Sequence, residues 1–370
     1  MSDYSVRIAR LQEQLRSEGA ALALLAGTDQ MRYLTGWREG GHERFVGLCV
    51  PAQGEPAFVV PAMNAPQAQQ TPAGITNVIG WDDATGWHPG FEQLLRGWGI
   101  GAESLLLIDD EMHSVHLLDI QALSPGIEAR AIGKTMSRLR EIKTDAELAS
   151  MQRAADLIDT IFEEAVASLQ EGMTELDLQS CFYDAFKRYG TQASFTPTAC
   201  FGANSALPHH HTGNTRLKRG DVMVIDVGCL YDNYASDITR TVSLGSPTDP
   251  DAARVYEIVN AAHWAAREAA QPGVSGEAVD AAARKVIEDA GYGKQFMHRT
   301  GHGIGLSTHE PPYINVGNTE PLLPGMCFSV EPGIYLAGKF GVRIENIVTM
   351  NSNGARSLNV DAPNALRIVG

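Results

Sequence analysis

The chain has 370 residues, of which 44% are hydrophobic and 20% charged, a composition typical of folded proteins rather than of disordered segments. Its formal net charge of −15 gives an acidic surface that repels nucleic-acid phosphates and anionic lipid headgroups. We therefore expect neither a nucleic acid nor a membrane among its partners. The length predicts two or three domains, or one large domain with a smaller companion.

The apolar stretches and the cysteines predict a cytoplasmic protein. No apolar stretch approaches the roughly 20 residues that a membrane helix needs, and the charged segment 1–19 does not have the pattern of a signal peptide. The five cysteines are scattered and include no C-x-x-C pair. This pattern favours free thiols in a reducing compartment over disulfides or structural zinc.

Residues 1–132 are predicted to form a smaller α/β domain. Apolar spacing predicts helices over 6–15 and near 111–123. Short apolar runs typical of buried strands lie at 20–26, 46–50, 57–60, 105–108 and 127–132. The polar and basic segment 36–45 is either a solvated loop or part of a substrate or dimer surface.

Residues 133–370 are predicted to form a larger domain built from two similar halves. After a charged connector at 133–143, the order helix, helix, strands occurs twice, and capping-box patterns begin the first two helices at Thr144 and Thr174. The predicted helices cover 144–170, 174–190, 250–270 and 276–290. The predicted strands cover 221–228, 236–243, 326–330 and 342–350.

A short motif repeats in step with these elements and indicates an internal duplication. The spacing from glycine to acid is the same for Gly220 and Asp226 as for Gly325 and Glu331. Two half-domains related by a pseudo-twofold axis would bury their sheets against each other. The matching acids would then lie near that axis.

Each copy of the motif carries a second carboxylate beyond a predicted hairpin. Asp237 follows Asp226, and Glu345 follows Glu331. The hairpin turns are predicted at 230–234 and 337–341. An isolated acid in an apolar run is costly to bury, so four acids at one axis indicate a site for two divalent cations. Their hard oxygen ligands suit Mn²⁺ or Mg²⁺, with Co²⁺ or Zn²⁺ as borderline ions.

His302 is the predicted nitrogen ligand of this site. Gly301 and Gly303 flank it and allow a close approach of the backbone, and it lies between the two acidic hairpins in the chain. Other catalytic motifs are not matched: Tyr313 stands where HExxH requires its second histidine, and no P-loop or G-x-S-x-G is present.

Taken together, these residues resemble the pita-bread metallopeptidases, which include Xaa-Pro dipeptidase (prolidase), Xaa-Pro aminopeptidase and methionine aminopeptidase. The matching segments are MRYLTGW (31–37), LREIKTDAEL (139–148), NSALPHH (204–210), IDVGCLYDNYASDITRT (225–241), HRTGHGIGLSTHE (298–310), VEPGIYL (330–336) and VRIEN (342–346). The resemblance implies an α+β fold in which a pseudo-twofold pita-bread catalytic domain follows a creatinase-type α/β domain. Methionine aminopeptidases typically lack that N-terminal domain, and creatinase lacks the metal ligands.

The resemblance implies two divalent metal ions per chain, with manganese expected and cobalt or zinc as alternatives. The implied ligands are Asp226, Asp237, His302, Glu331 and Glu345. Asp237 and Glu345 would bridge the ions, Asp226 would bind one, and His302 and Glu331 the other. The implied substrate-binding residues are His209, His298, His309 and Arg343, and the three histidines are also expected to take part in catalysis.

The implied reaction is hydrolysis of the Xaa-Pro imide bond by a hydroxide that bridges the metals. Glu331 is expected to pass a proton from the water to the leaving nitrogen. His309 is expected to donate a hydrogen bond to the tetrahedral intermediate, together with His298.

The chain length and compact N-terminal domain favour an Xaa-Pro dipeptidase. Tyr313, however, stands where some dipeptidases of this family carry a carboxylate-binding arginine, so Arg38, His42 and Arg44 are alternative candidates for that contact. An Xaa-Pro aminopeptidase acting on longer peptides is the alternative, and a non-catalytic scaffold of the same fold is the alternative of another class. The expected partners are a small proline-containing peptide and a second copy of the chain in a homodimer.

Overall fold

A computed structural model describes residues 3–370, which divide into two units after Arg140. The sheet of the first unit has the strand order β4-β3-β2-β1-β5-β6. Its strands are β1 Leu22–Ala26, β2 Gly47–Pro51, β3 Ala57–Pro61, β4 Val78–Trp81, β5 Leu105–Ile108 and β6 Glu128–Ala131. Its helices are α1 Asp3–Glu18, α2 Asp29–Thr35, α3 Ala65–Gln69, α4 His88–Gly97, α5 Ser114–Leu123 and α6 Gly133–Arg140. The predicted α/β character of this unit is confirmed.

The division lies beyond the boundary expected at residue 132, because the segment predicted as a connector forms a helix of the first unit. Thr135 in α6 donates a hydrogen bond of 2.8 Å to Glu18 in α1. The carbonyl of Leu139 accepts a hydrogen bond of 2.7 Å from the hydroxyl of Tyr33. Both contacts tie α6 to the helices that precede it in the chain.

The second unit repeats one arrangement of helices and strands, as the duplication predicts. Its helices are α7 Asp145–Ala167, α8 Glu175–Arg188, α9 Ala252–Ala269 and α10 Gly276–Asp289. Its strands are β7 Thr198–Phe201, β8 Val222–Val227, β9 Leu230–Tyr231, β10 Tyr234–Ala235, β11 Ile238–Leu244, β12 Gly301–Gly303, β13 Glu310–Ile314, β14 Cys327–Val330, β15 Gly333–Leu336, β16 Phe340–Arg343, β17 Asn346–Asn351, β18 Gly354–Ser357 and β19 Arg367–Val369. The larger sheets have the orders β19-β11-β8-β7 and β13-β12-β14-β17-β18. Helices α7 and α8 share an apolar core with β8 and β11, and α9 and α10 share another with β14 and β17.

The N-terminal ends of α7 and α8 follow directly from the sequence. The side chain of Thr144 accepts a hydrogen bond from the backbone of Glu147, and Thr174 does the same for Asp177. In each case the acid returns the contact to the cap, so both capping boxes are formed. These reciprocal bonds satisfy amide groups that the first turn of a helix leaves without partners.

Both predicted hairpins are present, and each lies between the two acids of its half. Strands β9 and β10 pair across Asp232 and Asn233, whose φ values are 50° and 68°. Aspartate and asparagine tolerate this left-handed backbone better than most residues, which suits a tight hairpin. Strands β15 and β16 pair across a turn with Gly338 at φ 74°.

The strand predicted over 342–350 is divided, and the break occurs at a predicted metal ligand. Strand β16 ends at Arg343 and β17 begins at Asn346, which leaves Glu345 between them. The amide of Glu345 donates a hydrogen bond of 3.0 Å to the carbonyl of Thr239 in β11. This bridge joins the two halves at the acidic hairpins. Within residues 3–370, no helix combines the length and apolar character required to cross a bilayer.

Candidate metal centre and active site

A buried cluster of potential metal ligands lies where the two halves meet. Asp237, His302 and Glu345 each direct one ligand atom to the same place, and these atoms lie within 4.8 Å of one another. The three residues are 4%, 3% and 2% exposed. Asp237 directly precedes β11, His302 is the central residue of β12, and Glu345 occupies the break before β17. Residues from both halves therefore build one site.

The backbone holds His302 in the form that a metal ligand requires. Its Nδ1 lies 3.1 Å from the carbonyl oxygen of Gly303, which can only accept a hydrogen bond. The proton therefore resides on Nδ1, and the Nε2 lone pair faces the acids. Nε2 lies 3.3 Å from Oε1 of Glu331 and 3.8 Å from Oδ2 of Asp237. A hydrogen bond of this kind on the distal nitrogen is typical of metal-bound histidines.

Burial makes the charged form of these acids costly. It raises the pKa of Asp237 and Glu345 well above their ordinary values, and repulsion from neighbouring carboxylates adds to the effect. Burial also raises the pKa of Glu331 to about 7, against the attraction of Arg343. Buried carboxylates at such close range require positive charge to remain ionised.

The oxygen atoms of the cluster fit divalent cations. Among residues 3–370, one buried oxygen in each of Asp226, Asp237 and Glu345 has no hydrogen-bond partner. Native proteins rarely leave such atoms unsatisfied, and a cation is one of the partners that would explain them. Oxygen ligands from carboxylates with one imidazole form a donor set suited to Mn²⁺, Co²⁺ or Zn²⁺.

Arg343 connects the acids of the two halves. Its guanidinium bonds to Oδ2 of Asp226 and donates a hydrogen bond of 3.0 Å to the hydroxyl of Thr239. That hydroxyl in turn donates a bond of 2.6 Å to Oε2 of Glu345. Arg343, which the resemblance implies to be a substrate-binding residue, thus orients Asp226 directly and Glu345 through Thr239.

His298 has both ring nitrogens engaged with the protein. Its Nδ1 lies 2.7 Å from the carbonyl oxygen of Arg299 and must donate to it. Its Nε2 lies 2.8 Å from the hydroxyl of Tyr335, which also accepts a bond of 3.2 Å from Arg343. Tyr335 therefore donates its proton to Nε2. Burial lowers the pKa of His298 to about 4, in agreement with a neutral ring.

His309 and His209 lie at the exposed side of the cluster. The ring of His309 is 4.0 Å from that of His302, measured between centroids, and His309 is exposed. Although the residue as a whole is exposed, desolvation of the part of its ring that faces the protein lowers the pKa of His309, and the charges of Arg299 and His209 add to the shift. His209 is exposed. The structure thus brings the predicted histidines to one region, with His302 inside and His209 at the edge.

A buried carboxylate that the sequence analysis did not identify shapes the loop carrying His209. Glu175 is 0% exposed and begins α8. It accepts hydrogen bonds from the amides of Phe201 and Gly213, at 2.9 Å each. It also contacts Asn204 and the ring of His210, at 2.9 and 2.8 Å. The capping pattern at Thr174 predicted the start of this helix but gave no signal for the loop contacts, which join residues far apart in the chain.

A buried ion pair was also missed. The ammonium of Lys143 lies 2.6 Å from Oε1 of Glu310, and both side chains are almost fully buried. Glu310 follows His309 directly, so the pair restrains the start of β13 next to that histidine. The segment LREIKTDAEL contains Lys143, but its sequence does not indicate which acid the lysine contacts.

Two family profiles match the chain. The profile described as Metallopeptidase family M24 covers residues 149–352, and the Creatinase/Prolidase N-terminal domain covers residues 7–142. Together they span both units of the structure and follow the predicted order of domains.

The chain is similar to proteins named as peptidases over almost its entire length. "Probable dipeptidase PepE" of Mycobacterium tuberculosis is 37% identical, over 99% of this chain and 96% of that protein. The crystal structure of a prolidase from Thermococcus sibiricus has a TM-score of 0.94 at 34% identity and covers 100% of both chains. That of dipeptidase PepE from Mycobacterium ulcerans has a TM-score of 0.92 at 36% identity and covers 99% of this chain and 98% of that one.

Proposed function

The chain belongs to metallopeptidase family M24, and from that premise we propose that it is a dipeptidase that hydrolyses the Xaa-Pro bond. The observation that carries the proposal is the buried cluster of Asp237, His302 and Glu345. The dipeptidases and the prolidase to which the chain is similar support this choice. An Xaa-Pro aminopeptidase acting on longer peptides remains the alternative, because Tyr313 stands where some dipeptidases have an arginine.

The proposed metal site holds two divalent cations, with manganese preferred and cobalt or zinc as alternatives. Its proposed ligands are Asp226, Asp237, His302, Glu331 and Glu345. The family resemblance implies that Asp237 and Glu345 are the ligands shared by both ions, and both residues are buried at the junction of the halves. When bound, such a pair of ions would polarise a peptide carbonyl and lower the pKa of water enough to supply a nucleophile near neutral pH.

Glu331 is the proposed carrier of the proton that the leaving group needs. Its Oε1 lies 3.3 Å from Nε2 of His302 and accepts a hydrogen bond of 3.1 Å from Ser329. These contacts fix the carboxylate at the cluster. The nitrogen of proline is a poor leaving group as an anion, so the carboxylate must deliver a proton to it as the bond breaks.

His309 is the proposed donor to the developing oxyanion, and His298 supports the site indirectly. The ring of His309 is exposed beside the cluster. Both nitrogens of His298 are already bonded, and its contact with Tyr335 helps to place Arg343. His209, at the edge, is proposed to contact the substrate. A preorganised oxyanion donor such as the one proposed for His309 contributes about 100- to 1000-fold to the rate.

The proposal includes a cytoplasmic location and a homodimer. All five cysteines are free, as expected in a reducing compartment. Gel filtration with light scattering would measure the oligomeric state.

The proposed function is tested by assaying the purified protein with added Mn²⁺ on Leu-Pro and on Leu-Pro-Gly. We expect cleavage of Leu-Pro and little of the tripeptide, since a dipeptidase excludes longer chains. The variant Glu331→Gln should abolish turnover, whereas Glu257→Gln, an exposed acid of α9, should not change it.

Faster cleavage of the tripeptide would favour the aminopeptidase. Near-normal turnover by Glu331→Gln would refute the role of that residue. A metal content below about one ion per chain, with no activity gained on adding Mn²⁺, would instead indicate a scaffold.

A further inference from the structure

A dipeptidase of the proposed specificity must recognise a carboxylate close to the scissile bond. The sequence offers Arg38, His42 and Arg44 for this contact, but the two arginines already have acidic partners in the first unit. Arg38 lies 3.3 Å from Asp29, and Arg44 lies 3.0 Å from Asp83. A cation without such a partner is the better candidate for binding a substrate carboxylate.

Arg299 is held close to the catalytic cluster by its neighbours. It lies between His298 and β12, which contains His302, and its carbonyl accepts the hydrogen bond from Nδ1 of His298. Its guanidinium lies over the ring of Tyr313, 4.6 Å from the centroid. Tyr313 is the direct cross-strand partner of His302. The stacked ring therefore carries the guanidinium on the strand pair that also carries the metal-ligand histidine.

The guanidinium of Arg299 is free to bind an anion. It is half-buried, and within residues 3–370 it has neither a hydrogen bond nor an ion pair. The contact with the ring of Tyr313 does not occupy the N–H groups with hydrogen bonds, and a guanidinium matches a carboxylate with two parallel hydrogen bonds. Its charge also contributes, after burial, to the lowered pKa of His309, which places it within electrostatic range of that ring.

We propose that Arg299 binds a carboxylate of the substrate, with Tyr313 holding the guanidinium plane in position. This inference rests on the proposed dipeptidase function and assigns to Arg299 the cationic contact that an arginine at the position of Tyr313 would otherwise provide. The carboxylate can come from two sources with the same chemistry. One is the C-terminal carboxylate of the proline itself, and the other is an acidic side chain on the residue before proline.

The test compares three substrates in the Mn²⁺-loaded enzyme: Leu-Pro, Leu-Pro amide and Asp-Pro. For Arg299→Met we expect kcat/KM to fall about 10- to 100-fold on the substrate whose carboxylate is bound, as for loss of a charged hydrogen bond. Most of the change should appear in KM. Arg299→Lys should recover only part of it, because an ammonium cannot form the paired bonds. The inhibition constant of Leu-Pro amide is measured as well, so that the comparison does not depend on its turnover.

The substrates distinguish the sources of the carboxylate. A loss on Leu-Pro and Asp-Pro but not on the amide would assign the C-terminal carboxylate. A loss on Asp-Pro alone would assign the acidic side chain. Equal losses on all three substrates, or none, would overturn the inference. Arg254→Met, which removes an exposed arginine of α9, is the control and should behave as wild type.

The failure of the proposed function would look different. A wild-type protein that cleaves none of the three substrates would refute the dipeptidase, and with it this inference. If the wild type is active but Arg299→Met changes kcat/KM equally on all three substrates, or on none, only the role of Arg299 is refuted.

Discussion

The two halves of the second unit share a frame but differ in the chemistry that they bring to it. Each half carries its two acids on either side of a hairpin: aspartates in the first half, glutamates in the second. Only the second half adds the buried imidazole of His302 and the guanidinium of Arg343. The helices α7 and α8 of the first half contain no histidine, whereas α9 has His263 buried within it.

The shared frame therefore places the acids in both halves, whereas the groups that compensate their charge differ between the halves and act across the junction. Asp226 of the first half has its cation, Arg343, in the second half. Glu345 of the second half has its hydroxyl donor, Thr239, in the first. Neither half contains a complete site, so the junction between them determines whether the acids can be buried together.

Replacing either of the two proposed bridging acids, one in each half, should have the largest effect. We expect Asp237→Asn and Glu345→Gln each to lower kcat about 1000-fold or more, because each would remove a shared ligand of ions that contribute several kcal/mol to the rate. Metal content measured by plasma mass spectrometry should fall in both variants. If only one variant lost metal, the acids of the two halves would not be equivalent.

Replacing the cross-half cation should have a smaller effect. Arg343→Met should weaken metal binding about 10- to 100-fold, the range for groups that orient metal ligands. Arg343→Lys should restore little of it, since one ammonium cannot reach Asp226, Thr239 and Tyr335 together. The dissociation constant for Mn²⁺ gives the measure, and full restoration by lysine would mean that only the charge matters.

The smallest effect concerns the stability of the protein in acid. His263 in α9 of the second half should contribute to it, whereas α7 and α8 of the first half contain no histidine. Burial, followed by the charges of Arg267 and Arg240, lowers the pKa of His263 well below its ordinary value. Below about pH 6.5, His263 binds a proton in the unfolded chain but not in the folded chain. The free energy of unfolding therefore decreases as the pH falls. Wild type should therefore lose up to about 1.4 kcal/mol per pH unit more than His263→Leu.

Urea unfolding at pH 7, 6 and 5.5 measures this difference. His211→Gln, which changes an exposed histidine of the same unit, is the matched control. Parallel pH profiles for wild type and His263→Leu would show that His263 does not contribute to acid sensitivity.

Many of the helix starts and hairpins of the second unit were predictable because they depend on local patterns. The capping boxes at Thr144 and Thr174 began α7 and α8 as expected, since a cap and its acid lie within one turn of each other. Both hairpins formed where turn residues separated apolar runs. The segment 133–143 was wrongly taken as a connector, because the contacts of α6 with Glu18 and Tyr33 are distant in sequence.

The division of the strand over 342–350 illustrates the same limit. The β-branched and apolar residues of this segment favour one continuous strand, yet the strand breaks at Glu345, whose amide bonds to Thr239 of the other half. No local pattern specifies a partner about one hundred residues away.

The sequence by itself determined which residue types could bind metal and their spacing along the chain, because hairpins, caps and apolar periodicity operate over a few residues. Tertiary structure alone decided that Arg343 faces Asp226, that His298 is bonded through both nitrogens, and that the guanidinium of Arg299 lies over the ring of Tyr313. These contacts follow from how sheets and halves come together. They depend on packing that summed local preferences do not encode.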